Sequence, residues 1–499
     1  MTDSHGRGTD APLADLLRTD PRVVTAGADL LGQALRDQAV PVTEVDWRPP
    51  LLGEDGEDRL GEDRAGRTYR ALRTVLGDAR RTVANARALE RMCAAGSELV
   101  AIRPASEVLG LEKGQFLHAG PPLEWERASG PMRGALIGAT VFEGIADTPE
   151  EAERLLASGS LEFEPCHHRD AVGPMAGVVS PSMWMFELRD PVHGNTSYCS
   201  LNEGLGKVLR YGAYGPEVQT RLRWMADVLG PVLSRAVAAH GSVDVAAIVA
   251  QMVQMGDEGH NRNRSATLMW LRDLLPDLVS LGVDGTDLAD VVRFVGANDH
   301  FALNLVMPTC KLAMLAAADI EGSSMVTVMA RNGTDFGIQT AGTGREWFTG
   351  PANRPEGLFL GDFGPDDANP DIGDSAITET AGIGGFVMAA APAIVRLVGG
   401  DVDFALAATR RMYEITLGEH PRIQVPILEF RGAPAGIDVT QVVRTGILPQ
   451  INTGMAGAVA GTGQVGAGLV TPPERCFTAA LDALASRATP GAEVGAVRA

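Results

Sequence analysis

The chain has 499 residues, 45% hydrophobic and 21% charged, with a formal net charge of −20 at pH 7. That length suits roughly three domains, or two larger ones with insertions, around a large buried core. Strong acidity without any Lys/Arg-rich block sets aside nucleic-acid binding and attachment to anionic membranes, both of which need a basic face.

The five cysteines are scattered, odd in number and without CxxC spacing, which fits reduced thiols in the cytoplasm. Residues 1–20 are polar and lack the charged-then-apolar design of a signal peptide. No apolar run reaches the roughly 18 residues a membrane span needs. Ile383 to Leu397 comes nearest, but Pro392 and Arg396 interrupt it, and it reads as a buried helix. Residues 1–20 and 481–499 read as flexible tails.

Along the chain, Val23–Ala26, a helix-periodic stretch over Ala28–Gln38 and Val40–Asp46 form a βαβ pattern. Trp47-Arg-Pro-Pro50 ends it, and the charged, glycine-rich Leu51–Arg67 reads as a loop. A helix over Val83–Ala95 leads into a strand at Glu98–Arg103. Thr148-Pro-Glu-Glu151 is a helix start, with threonine as N-cap and glutamate at the capping-box position. Residues 21–165 are therefore expected to form a Rossmann-like α/β domain with a parallel sheet.

From Gly177 to Tyr198 the pattern is that of a β-hairpin. Helices are then expected near Val243–Met255, Ser265–Leu275, Asp287–Val295, Ala302–Ala318, Ile377–Leu397 and Phe404–Tyr413. Residues 166–480 thus read as a mostly helical α+β body with β excursions, the expected active-site domain.

Polar cassettes between apolar helices are where chemistry is expected. The densest is Gly256-Asp-Glu-Gly-His-Asn-Arg-Asn-Arg264. Its arginines, Arg262 and Arg264, suit carboxylate or phosphate; Asn261 and Asn263 can donate to an oxyanion; His260 and Glu258 can move a proton. The bland alternative is a helix C-cap followed by an N-cap, but nine nearly unbroken polar residues exceed what capping needs.

Cys166-His-His-Arg-Asp170 offers His168 as acid or base and Arg169 as an anion holder, or else a turn in which Arg169 pairs with Asp170. Gly296-Ala-Asn-Asp-His300 offers Asn298 and His300 at a helix N-terminus. Ala330 to Gly337 holds the hairpin dipeptide Asn332-Gly333 and leaves Arg331 over as a candidate. Ser200 to Lys207 lacks the spacing of a phosphate loop. The acid-rich Gly361 to Asp374 reads as a surface loop. The glycine-rich Gln450 to Gly468 is either a substrate cradle or close backbone packing.

Together, Trp47–Pro50, Cys166–Asp170, Asn202–Gly206, Gly256–Arg264, Gly296–His300 and Gly361–Gly364 resemble the YahG/YlbE-like family, over about Val23 to Pro473. The resemblance implies a subunit like AllG of oxamate carbamoyltransferase in anaerobic allantoin degradation. It also implies an FdrA-like partner subunit, a third small subunit, and exchange of a carbamoyl group between oxamate (as oxalurate) and phosphate. The family assigns no residue roles, so those rest on chemistry. His168, His260, His300 and Glu258 are the candidate proton carriers. Arg169, Asn261, Arg262, Asn263, Arg264, Asn298 and Arg331 are the candidate holders of two small anions, and the Cys166, Gly256 and Gly296 cassettes are expected to converge. Neither metal nor cofactor is expected. Two other readings stay open: a non-catalytic metabolite-binding subunit, and a metal-dependent hydrolase using Cys166, His168 and His260.

Overall fold

Two short β-branched runs, β1 (Val23–Ala26) and β2 (Val42–Val45), pair in parallel, with Val23 opposite Val42. They lie in the smaller of two units, residues 1–70, and the larger unit comprises 71–499. The structure, a computed structural model, describes residues 23–26, 34–36, 38, 40, 42–45, 64–392 and 400–489. The Trp47–Pro50 motif, most of the Leu51–Arg67 loop, residues 1–20 and residues 490–499 lie outside these. Parallel pairing with helical residues between the strands matches the βαβ pattern. It does not by itself make a Rossmann-like domain.

Helix α1 (Arg64–Leu76) crosses the division, and α2 (Arg81–Ala94) opens the larger unit. Strand β3 (Glu98–Pro104) runs antiparallel to β6 (Trp184–Arg189), which pairs with β7 (Thr196–Ser200); β8 (Val243–Asp244) borders β3 on its other side. β4 (Gln115–His118) and β5 (Glu162–Pro165) pair in parallel. Of the parallel sheet expected within residues 21–165, the described residues show the separate pairs β1–β2 and β4–β5, while β3 joins an antiparallel sheet shared with residues 184–244. Sequence periodicity reveals a strand but not its partner, and β3 finds its partner about 80 residues downstream.

Between β4 and β5 lie α3 (Gly130–Phe142) and α4 (Pro149–Ala157). The Thr148 hydroxyl accepts from the Glu151 amide at 3.2 Å, as an N-cap does. The Glu151 carboxylate accepts from Asp147, one residue before the cap.

Helices α5 (Pro216–Trp224), α6 (Gly230–His240), α7 (Val245–Gln254), α8 (Arg264–Ser280), α9 (Gly285–Ala297) and α10 (Leu303–Ala317) follow, close to expectation. Phe186, Trp270 and Phe301 lock sheet and helices together, with ring centroids 5.4 to 6.0 Å apart. Such aromatic pairs add about 0.5–1.5 kcal/mol each beyond area burial.

The remainder is richer in strands than the expected mostly helical body. Strand β9 (Val326–Asn332) turns through Gly333 into β10 (Asp335–Thr340), with β11 (Phe348–Pro351) beside β10 and β13 (Ile372–Gly373) beside β9. The expected Asn-Gly hairpin is present. Strand β12 (Glu356–Phe359) borders a second sheet with β16 (Ile451–Ala456) and β17 (Gln464–Val470), while β14 (Thr416–Val425) and β15 (Arg431–Ile437) form a ribbon.

The long helix expected over Ile377–Leu397 is broken. It begins as α11 (Ile377–Thr380), and Gly382 and Gly384, both at positive φ, end it before a 3-10 segment. Residues 393–399 lie outside the described set. Helix α12 (Val402–Met412), α13 (Val439–Thr445) and α14 (Glu474–Ser486) complete the chain; Leu481 and Leu484 of α14 are buried, so the core extends into the stretch read as a tail.

Candidate active site

The loop between α7 and α8 folds around its own acids. Gly256 and Gly259 sit at φ +94° and +89°, a region β-carbons disfavour. A β-carbon at Gly259 would also lie 2.5 Å from Met252 Cε. Glu258 accepts from the amides of His260 and Arg262, each at 2.7 Å. Asp257 accepts from Arg262 Nε at 2.9 Å, from the Ser265 amide and from the Ser265 hydroxyl. Asn263 donates to the His260 carbonyl. The carboxylates that suggested proton chemistry thus also fix the loop's shape.

What the loop presents is His260, only 3% exposed, with Nδ1 2.8 Å from a carboxylate oxygen of Glu379. Glu379 is wholly buried on α11 and also accepts from the Thr378 hydroxyl and the Gly385 and Asn452 amides. A β-carbon at Gly384 would fall 2.2 Å from its Oε1, so the turn that ends α11 is shaped to admit this carboxylate. A carboxylate on Nδ1 fixes the ring's orientation and tautomer and leaves Nε2 for proton transfer. Burial, reinforced by the nearby Glu379 charge, raises the Glu258 carboxyl to about 8 against three backbone hydrogen bonds that lower it. Glu258 therefore carries a proton at neutral pH.

The connection from α9 to α10 closes on the same place. The His300 ring hydrogen-bonds the Asn261 backbone, and its pKa is lowered to about 3 by burial and by the charges of Arg210 and His260. His300 is thus neutral at physiological pH. An amide chain runs beside it: Asn298 donates to Asn202, and Asn202 donates to Asn304, which donates to the Ser200 carbonyl. Buried Arg210 directs two nitrogens to the Gly204 carbonyl. Asn261 donates to the side chain of Asn452 in a short contact. Five cassettes distant in sequence therefore meet: Asn202–Arg210, Gly256–Arg264, Asn298–Asn304, Glu379–Gly385 and Asn452.

Of the expected site residues, Glu258, His260, Asn261, Arg262, Asn263, Asn298 and His300 are gathered here. Arg264 is exposed at the rim, 3.7 Å from Asp299. His168 is not part of this group: its Nε2 accepts from Trp347 and its Nδ1 lies 3.4 Å from Glu164. Arg169 pairs with Glu164 at 2.8 Å. The convergence expected of three cassettes thus holds for two.

Arg331 is a correction. It is fully buried, and its five N–H groups go to Asp371, Gly373, Ser375 and Thr453, leaving none for an anion. The acidic surface loop expected over Gly361 to Asp374 is exposed through Asp367, but its last acids, Asp371 and Asp374, are buried. Cys166 is buried with its thiol on the Gly177 carbonyl. Among the described residues no three His, Cys, Asp or Glu side chains are grouped to hold a metal ion, so the triad of the hydrolase reading is not assembled.

Sequence reasoning missed Glu379, Asn452 and Arg210 as members of the site. Glu379 had one readable signal, the lone charge in the stretch from Ile377 to Met388. Asn452 lies in the glycine-rich segment read as a possible substrate cradle, though nothing singled out that residue, and nothing local marked Arg210.

The family profile described as "Oxamate carbamoyltransferase subunit AllG" matches residues 161–375, which carry most of these cassettes. Two Escherichia coli (strain K12) proteins align over most of the chain. "Uncharacterized protein YahG" is 44% identical over 460 residues, covering 92% of this chain and 96% of that protein. "Oxamate carbamoyltransferase subunit AllG" is 48% identical over 406 residues, covering 81% and 97% respectively. The crystal structure of a conserved protein of unknown function from Enterococcus faecalis V583 superposes with a TM-score of 0.81 at 44% identity, over 82% of this chain and 98% of that one. No helix among the described residues is long and apolar enough to cross a membrane. A chain this similar to both Escherichia coli proteins over nearly their whole lengths belongs to the YahG/AllG family.

Proposed function

We propose that this chain is the AllG-type subunit of a carbamoyltransferase. It would move a carbamoyl group between an oxalurate-like ureido compound and phosphate, and act with an FdrA-like subunit and a third small subunit. The observation that carries the reading is the buried His260–Glu379 pair on a floor of amides, in a chain 48% identical to an oxamate carbamoyltransferase subunit.

In the proposed step a phosphate oxygen attacks the ureido carbonyl carbon and the bond from that carbon to the oxamate nitrogen breaks. Carbamoyl phosphate forms and oxamate leaves. His260 Nε2 takes the proton of the attacking hydrogen phosphate and delivers it to the departing nitrogen, while Glu379 stabilises the imidazolium through Nδ1. Asn261 and Asn298 are the donors for the tetrahedral oxyanion. Arg262, with its side chain 40% exposed, and Arg210 supply positive charge to hold two anions that repel each other. Glu258 acts through the loop: it sets the backbone of His260 and Arg262 and is a positioning residue.

The test is phosphorolysis of oxalurate by the chain alone and with its partner subunits, following carbamoyl phosphate and oxamate in equal amounts. Turnover in at least one combination is expected. Ligand binding without turnover in every combination would leave the non-catalytic reading standing instead.

A further inference from the structure

Lys311 lies on the same face of α10 as Asn304, two turns along and therefore about 10 Å farther down the axis. It is 4% exposed, and Nζ lies 3.2 Å from His167 Nδ1. No carboxylate among the described residues forms an ion pair with it. Asp374, the nearest candidate through His167, is occupied by the amides of Gly120 at 2.7 Å and Gly173 at 2.9 Å. His167 Nε2 sits 3.3 Å from Asp374 but makes no hydrogen bond.

A buried ammonium with one neutral partner and no carboxylate in direct contact, Asp170 and Asp374 acting on it only from a distance, is an expensive arrangement unless something adds negative charge beside it. Lys311 borders a cavity of about 150 Å³, with His167, Thr327 and Gln339 in its wall and Arg345 at its mouth. Two carboxylates also face it: Asp170 is held by Arg345 at 2.8 Å, and Asp319 is exposed. Lys311 keeps two N–H donors after the contact with His167.

We propose that this chamber binds a small oxyanion, a phosphate or a short carboxylate, with Lys311 as its buried counter-ion and Arg345 at the entrance. The site is separate from the His260–Glu379 pair and does not depend on the carbamoyl reading. The motif it uses, Cys166 to Asp170, is the one the candidate active site did not absorb.

The test is a thermal-unfolding titration of the full chain with inorganic phosphate, and separately with oxamate, at constant ionic strength set by chloride. A melting-temperature rise with at least one anion is expected, and the responding anion identifies the source. In an Arg262→Gln background, which weakens anion binding at the His260 site, Lys311→Met is expected to abolish that rise and Arg345→Gln to weaken the apparent affinity about tenfold. His260→Gln is expected to leave the rise intact, whatever its effect on turnover. No rise in the wild-type chain would overturn the proposal, as would a rise that survives when folded K311M is combined with R262Q or one that disappears in H260Q. If K311M does not fold, an unchanged affinity in R345Q overturns it.

Discussion

Replacing Glu379 by glutamine separates the charge on this carboxylate from its geometry. With its amide oxygen in the Oε1 position, the glutamine still accepts from His260 Nδ1, Gly385 and Asn452. Its amide nitrogen then faces the Thr378 hydroxyl, which can accept from it while continuing to donate to the Ser375 carbonyl. The fold keeps its contacts and loses one buried charge. Exchanging a charge-assisted hydrogen bond of about 1.5–3 kcal/mol for a neutral one of about 0.5–1.5 kcal/mol costs about 1 kcal/mol. Removing the charge that raises Glu258 works in the opposite direction, so stability is expected to change by no more than about 1 kcal/mol. Catalysis should not be spared, because the imidazolium formed at His260 loses its counter-charge. A fall in kcat of about 100- to 10,000-fold is expected, the range of general acid–base contributions. The assay pairs carbamoyl phosphate formation by the assembled enzyme with urea unfolding of the chain. Full activity in E379Q would refute the role of the pair, and a stability loss of several kcal/mol would make Glu379 a structural residue.

Arg331→Met leaves Asp371 buried without its partner and is expected to cost about 3–5 kcal/mol in urea unfolding; a raised KM with unchanged stability would instead restore Arg331 to the substrate site. The Glu258 carboxyl, at about 8 in the fold against 4.5 unfolded, holds a proton in the native state that the unfolded chain has lost across that interval. Its contribution to stability is therefore complete below pH 4.5 and falls by up to about 1.4 kcal/mol per pH unit up to pH 8. Glu258→Gln should flatten the pH dependence of the urea midpoint over that window, and an unchanged slope would contradict the assignment. Gly120→Ala would place a β-carbon 2.4 Å from the Arg331 and Asn332 backbone at φ +87°, and should cost at least about 3 kcal/mol. Gly110→Ala, at φ +63° with open space around it, should cost only about 1–2 kcal/mol in the same measurement.

What could be read in the sequence follows the range of the forces involved. Local signals gave the N-cap at Thr148, the Asn332-Gly333 hairpin and the helices from Val245 to Ala317, because capping, turns and apolar stripes act within a few residues. Pairing partners were not legible. Strand β3 was placed in a parallel sheet because its neighbours looked like α/β units, yet it pairs with β6 and β8. The same divide runs through the site. His260 and Glu258 stood out within one dense cassette, whereas Glu379 stands 119 residues from the histidine it orients. Arg331 misled for the opposite reason: it was conspicuous as a charge left over by a hairpin, and its partner Asp371 was hidden in a segment that looked like a surface loop.

Whether His260 carries the proton is decided by His260→Ala in the assembled enzyme, measured as carbamoyl phosphate formed from oxalurate and phosphate, beside the urea midpoint of the same protein. Turnover at least about 100-fold lower, with the fold retained, is expected. Wild-type turnover in a folded H260A enzyme would contradict it.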